Sequence, residues 1–187
     1  MRIISGIYKG KKILEPKNLN TRPLKDLTKE SIFNIIIHSN KFNVRLEGSN
    51  ILDLFSGVGS FGLECLSRGC LSSTFVENYK EVLPILKKNI NNLVFQDRSI
   101  VVEKDIFNSL DYKVFNLKFD IIFIDPPYKE KELELILIKI FESKILSNKG
   151  IIIIHRHKKD KDSFPEKFKI IEDKTYGISR ILFGNFI

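Results

Sequence analysis

From residue 50 onward, short apolar runs alternate with longer stretches whose apolar positions recur at helical spacing. Asn50–Leu54, Ser72–Val76, Ser99–Glu103, Asp120–Ile124 and Gly150–His155 each read as a strand. Between them, Ser60–Arg68 (stopped by Gly69), Tyr79–Asn91 and Lys131–Glu142 read as helices, and Ile106–Leu110 as a short one. Phe168–Lys174 and Ile178–Asn185 flank Tyr176-Gly177 as a closing antiparallel hairpin. Alternation of this kind predicts an α/β fold: a mostly parallel, seven-stranded sheet covered on both faces, with the hairpin at its end. The unbroken apolar run Ile121–Ile124 predicts a strand buried on both faces.

The first 45 residues follow another pattern. Ile3-Ile4 and Ile13-Leu14 flank Gly6 to Gly10 and predict a hairpin over Arg2–Leu14. Pro16 to Asn20 reads as loop. Arg22-Pro23 opens a helix that runs to about His38, with Leu27, Ile32, Ile35 and Ile36 as its apolar stripe. Lys41–Ser49 is a polar connection. The expected division is therefore a hairpin-and-helix appendage over residues 1–45 and a main domain over 46–187.

Composition sharpens this picture. Hydrophobic residues make up 43% and charged residues 29%, which is the balance of a soluble globular chain rather than a disordered one. The run Ile151–Ile154 is far too short to span a bilayer, and no signal peptide is apparent after Arg2. Cys65 and Cys70 have neither zinc nor redox spacing, so a reduced, cytoplasmic setting is expected, with no metal. The formal net charge of +8 favours a polyanionic partner. Most of the excess falls in residues 1–30, where Arg2, Lys9, Lys11, Lys12, Lys17, Arg22, Lys25 and Lys29 stand against Glu15, Asp26 and Glu30. Tyr8 lies among them as a stacking platform for a base. The functional reading is an RNA-gripping surface formed by Arg2, Tyr8, Lys9, Lys11, Lys12, Arg22, Lys25 and Lys29; the plain alternative is a solvated lysine-rich face.

In open parallel sheets, ligands bind beyond the carboxyl ends of the strands. Three strand ends here carry unusual residues. Asp53 to Gly62 runs from a strand through Gly57 and Gly59 into a helix, a turn that lets the backbone approach a ligand closely. A phosphate ligand would be repelled by Asp53, whereas S-adenosylmethionine, with its ammonium and sulfonium, would be attracted. Glu77 ends the second strand where a carboxylate can accept from two adjacent ribose hydroxyls. Asp105, after the third strand, is the analogous position facing the adenine, although an acid there also suits a helix start. The expected cofactor set is Asp53, Phe55, Gly57, Gly59, Glu77 and Asp105. At the fourth strand end, Asp125-Pro126-Pro127-Tyr128 joins an acceptor carboxylate to two prolines that lack N–H groups. Asp125 and the Pro126 carbonyl can accept both hydrogens of an amino group on an aromatic ring, and Tyr128 can stack on that ring. The chemistry implied is methyl transfer to that nitrogen, driven by positioning and electrostatics. The base must be unpaired or flipped out to reach such a site.

These motifs, Asp53 to Glu64 with Ser67-Arg68-Gly69, Phe75-Val76-Glu77 and Asp125-Pro126-Pro127-Tyr128, resemble those of the RsmD family. So do Met1 to Gly6, Lys9 to Lys12, Arg22-Pro23, Asp26, Glu30 to Asn34, Tyr176-Gly177 and Ser179-Arg180. The family comprises bacterial 16S ribosomal RNA guanine-N2 methyltransferases. The resemblance implies a Rossmann-like class I fold, S-adenosylmethionine as cofactor and 16S rRNA in an assembling 30S subunit as partner. It also implies a monomer, with Asp53, Gly57, Gly59 and Glu77 on the cofactor and Asp125 to Tyr128 on the base. The family pattern prefers arginine at the positions of Leu27 and Lys29, and lysine cannot copy a bidentate guanidinium contact. The competing readings are a DNA adenine-N6 or cytosine-N4 methyltransferase and a non-catalytic ribosome-assembly factor of the same fold. An NAD dehydrogenase would leave Asp-Pro-Pro-Tyr without a role.

Overall fold

The computed structural model describes residues 1–16, 24–127 and 132–187. Arg22, Pro23 and Tyr128 lie outside them, as does Lys131 at the expected start of the fourth helix. The described elements are α1 (Asp26–His38), β1 (Asn50–Leu54), α2 (Ser60–Ser67), β2 (Ser72–Val76), α3 (Leu83–Asn92), β3 (Ser99–Val102), β4 (Phe119–Ile124), α4 (Leu133–Ser143), β5 (Leu146–His157), β6 (Phe168–Tyr176) and β7 (Ser179–Phe186). None of these helices is long and apolar enough to cross a membrane.

The strands form one seven-stranded sheet in the order β3-β2-β1-β4-β5-β7-β6. The first five are parallel, while β7 runs antiparallel to both β5 and β6. This is a Rossmann-like α/β arrangement, as the alternation of strand and helix predicts. The chain winds outward from β1 through β2 to β3, then returns to lay β4 on the other side of β1. The strand order thus reverses between β1 and β4, where a crevice opens at the carboxyl ends.

Period-two alternation divides the core. Ile51, Ile121, Phe123, Ile151 and Ile153 face Ile32, Phe33 and Ile36 of α1 and Phe61 and Cys65 of α2. Leu52, Leu54, Ile122, Ile124, Ile152 and Ile154 face Leu133, Ile136, Leu137 and Ile140 of α4. The N-terminal segment packs on α2 and α3, with Ile3 and Ile13 buried against Leu63, Leu66, Leu86 and Ile90. Its two arms pair as a short hairpin at the antiparallel bridge Arg2–Lys12, where the N–H groups of Ile3, Ile13 and Gly10 donate to the carbonyls of Lys11, Met1 and Ile3. Gly6, at φ +85°, sits so close to the Ser67 carbonyl that no β-carbon fits.

Four expectations need correction. The stripe of α1 is Lys29, Ile32, Phe33 and Ile36, spaced for one helical face. Leu27 is out of phase with it and 78% exposed. Ile106–Leu110 is a turn, held by Asp105, whose Oδ1 accepts from the N–H groups of Phe107 and Asn108. α3 starts at Leu83, not Tyr79, with Pro84 in its first turn, where the missing N–H is harmless. β5 begins four residues earlier than Gly150, because its start continues pairing with Phe119 past an irregularity in β4.

Candidate active site

A cavity of about 570 Å3 lies over the β1/β4 crevice, within the usual size of small-molecule sites. It gathers most of the expected residues: Asp53 near the end of β1 with Phe55 and Gly57 after it, Glu77 after β2, Asp105 after β3, and Asp125, Pro126 and Pro127 after β4. Gly59 is not in the lining. At φ +84° it caps α2, and its missing β-carbon gives room to Leu86. There it turns the backbone from β1 into α2.

Asp53 is 1% exposed, and its Oδ2 accepts from the Gly62 N–H at 3.0 Å. Burial pushes its carboxyl up to about 8; the Gly62 N–H opposes this, and the charges of Asp125 and Glu77 add to it. Gly62 lets α2 come this close, since a β-carbon there would run into the Phe75 ring. Glu77 straps two loops together: Oε2 accepts from Gly57 N–H at 2.8 Å, and Oε1 from Asn78 and Tyr79 N–H at 2.9 and 2.8 Å. A carboxylate has about four acceptor sites, so capacity is left for hydroxyls. Asp105 accepts from the Asn78 amide at 2.8 Å, tying the second strand end to the third. Phe55 holds a positive φ of 58°, a conformation rare for a side-chain-bearing residue. Its ring meets Phe107 at 5.8 Å, making an apolar wall. Phe33, Phe61 and Phe123 stack from α1 to β4, and the last two line the cavity.

Asp125 is 25% exposed, and its Oδ1 lies 2.8 Å from Nδ1 of His155. His155 itself lines the cavity, as do Leu24, Ser60 and Tyr79. None of the four belonged to the expected set. The signal for His155 was its position directly after the apolar run Ile151–Ile154, as Asp125 follows Ile121–Ile124.

Four carboxyl groups and no lysine or arginine are found among the described lining residues. That electrostatic character disfavours a phosphate-bearing dinucleotide and suits a cationic ligand.

On the basic surface, Arg2, Lys9, Lys11, Lys12 and Lys25 are exposed. Arg2 follows Met1, which lines the cavity. Tyr8 is half-buried, edge-on to Phe95 with ring centroids 5.2 Å apart. Lys29 does not belong to this surface. It is 0% exposed; Nζ donates to the Arg2 carbonyl at 2.7 Å and lies 3.4 Å from Glu64 Oε2. Burial holds its ammonium below the ordinary lysine value, against the pull of Glu64. Its place on the buried face of α1 takes it out of reach of a phosphate.

A family model described as conserved hypothetical protein 95 matches residues 1–185. Ribosomal RNA small subunit methyltransferase D of Haemophilus influenzae is 30% identical over 179 residues, covering 95% of this chain and 90% of that one. The protein of the same name from Buchnera aphidicola subsp. Baizongia pistaciae is 33% identical over 157 residues, covering 83% of this chain and 76% of its own. Among solved structures, yhhF from Escherichia coli aligns with a TM-score of 0.79 at 23% identity, covering 98% of this chain and 96% of that one. HI0767 from Haemophilus influenzae aligns at 0.75 with 29% identity, covering 98% and 96%. With the family model spanning nearly its whole length, this chain belongs to the RsmD family.

Proposed function

We propose that this protein is an rRNA methyltransferase that uses S-adenosylmethionine to methylate the exocyclic N2 amino group of a guanine in 16S rRNA, within an assembling 30S subunit. The observation that carries this reading is the acidic cavity closed at one end by the Gly57 turn and at the other by Asp125-Pro126-Pro127. Relatives named ribosomal RNA small subunit methyltransferase D support the substrate class.

The residues present fit the donor. Asp53 would face its ammonium, Glu77 would accept from its ribose hydroxyls, and the Phe55–Phe107 wall would cover a flat ring. When bound, the donor supplies a methyl group on a cationic sulfur; the methyl passes to the amino nitrogen while the carbon–sulfur electron pair stays on sulfur. Asp125 accepts a hydrogen bond from the amino group and so orients the nitrogen lone pair. It then takes the surplus proton of the methylated nitrogen and passes it to water. Pro126 and Pro127 stiffen the backbone beneath this carboxylate and offer no competing N–H donors. Lys9, Lys11, Lys12, Lys25 and Arg2 supply phosphate contacts that position RNA without reading its sequence.

The test is transfer of labelled methyl from S-adenosylmethionine to 30S particles lacking the mark, with duplex DNA as a competing acceptor. Labelling of one 16S guanine at N2, with an Asp125→Ala variant at least about 100-fold slower, is the expected result. Preferential labelling of DNA, or an unimpaired Asp125→Ala variant, overturns the reading.

A further inference from the structure

We propose that His155 is a positioning residue for the reaction: its Nδ1–H holds the Asp125 carboxylate in the orientation that receives the target amino group. This rests on the reading of Asp125 as the acceptor for that group.

The pairing follows from sheet register. β4 and β5 run parallel with Ile124 level with Ile154, so the next residue on each strand stands abreast at the cavity. Nδ1 of His155 and Oδ1 of Asp125 are 2.8 Å apart, within the range of a charge-assisted hydrogen bond. A carboxylate only accepts, so Nδ1 carries the hydrogen. The histidine side chain is 8% exposed and the aspartate 25%, so a buried ring grips a carboxylate that still faces the cavity.

Folding alone gives no reason for a histidine here. The residues before it, Ile151 to Ile154, are apolar and buried, and Ile181 lies opposite it on β7. Nε2 is buried with no hydrogen-bond partner among the described residues, an arrangement that carries a desolvation penalty. An apolar residue would avoid that penalty. What the histidine adds is one donor, and that donor meets Asp125.

The benefit is geometric. The terminal torsion of aspartate is broad, so an untethered carboxylate sweeps a wide arc. The two prolines fix its backbone, and the histidine fixes its rotor by engaging Oδ1. Oδ2 is left for the substrate. Asp53, Glu77 and Asp105 line the same cavity, but none of them is hydrogen-bonded to this carboxylate among the described residues. Small displacements of a reacting group lower rates by up to about 100-fold.

The experiment measures steady-state methylation of 30S particles by the full chain, with thermal melts on every variant. His155→Ala is expected to lower kcat by roughly 10- to 100-fold with the KM for S-adenosylmethionine nearly unchanged. His155→Asn keeps an N–H at the Nδ1 position and is expected to recover most of that loss. His155→Gln places its N–H further out and is expected to recover little. In an Asp125→Ala background, adding His155→Ala is expected to lower kcat no further, since the two residues act as one unit. Equal activity of the Asn and Gln variants, full activity of His155→Ala, or additive losses would each overturn the proposal. If His155→Ala fails to fold, the Asn and Gln pair decides. An unimpaired Asp125→Ala variant overturns the reading of Asp125 and this inference together. An inactive Asp125→Ala beside a fully active His155→Ala overturns this inference alone.

Discussion

Asp53 is held between two opposing demands. Its place under α2 removes it from water, which favours the protonated form and raises its carboxyl to about 8. In an unfolded chain the same group titrates near about 3.9. Between those values the folded protein keeps a proton that the unfolded chain releases. The resulting stabilisation is complete below the lower value and is lost as pH rises through the higher one. Asp53→Asn should remove this slope, so thermal melts at rising pH should show the variant gaining on the wild type up to about pH 8. A bound ammonium reverses the preference, because an ionised Asp53 then has a countercharge. Donor affinity should therefore rise by up to about tenfold per pH unit below 8, with proton release visible by calorimetry in buffers of different ionisation enthalpy. Asp53→Asn should abolish that release and weaken binding roughly 10- to 100-fold.

Glu64 does at the scale of elements what Asp53 does within the site. From the interior of α2 it accepts from the N–H groups of Ile4 and Ser5 at 2.7 and 2.9 Å and from Arg68 at 2.8 Å, and lies 3.4 Å from the Lys29 ammonium. One carboxylate thus joins the N-terminal hairpin, α1 and α2. Glu64→Ala should destabilise the protein by about 3–5 kcal/mol, since two cations lose their buried partner. Denaturant titration would measure the loss, and hydrogen exchange should show residues 3–14 opening first. Gly62→Ala should also destabilise, by about 1–3 kcal/mol, by forcing α2 off the Phe75 ring. These links were hidden in the sequence, because a glutamate on a helix reads as a surface residue until its partners are known. The strands were plainer. β1 and β2 keep their expected bounds, and four of the five residues in each are buried, as befits strands inside the sheet. β5 was read short because Leu146–Lys149 mixes apolar and polar residues. In α1 the eye follows Leu27, yet Phe33 and Lys29 share the buried phase.

Across the whole molecule, the charges divide by location. Acids converge on the cavity, while Lys9, Lys11, Lys12 and Lys25 remain on the outside. Replacing Lys9, Lys11 and Lys12 with glutamate should weaken binding of 16S rRNA and flatten its salt dependence by about one slope unit for each lost phosphate contact. Donor binding, measured on the same variant, should be unaffected. The cavity was legible from the sequence because its acids lie at or shortly after the carboxyl ends of strands, and strand ends of a parallel sheet converge. His155 follows the same rule, but its meaning needed the register of β5 on β4. Lys29 misled because a count of charges along the chain carries no helical phase. The reversal of strand order has one more consequence. The two walls of the cavity come from chain segments far apart in sequence, and they meet only along the seam where β1 pairs with β4. The sheet's outer strands can fray without disturbing that seam, but no partly opened form that parts it can hold a ligand. A molecule lodged there works as a clamp on the middle of the protein, so its presence should protect the centre from proteases while leaving the margins as vulnerable as before.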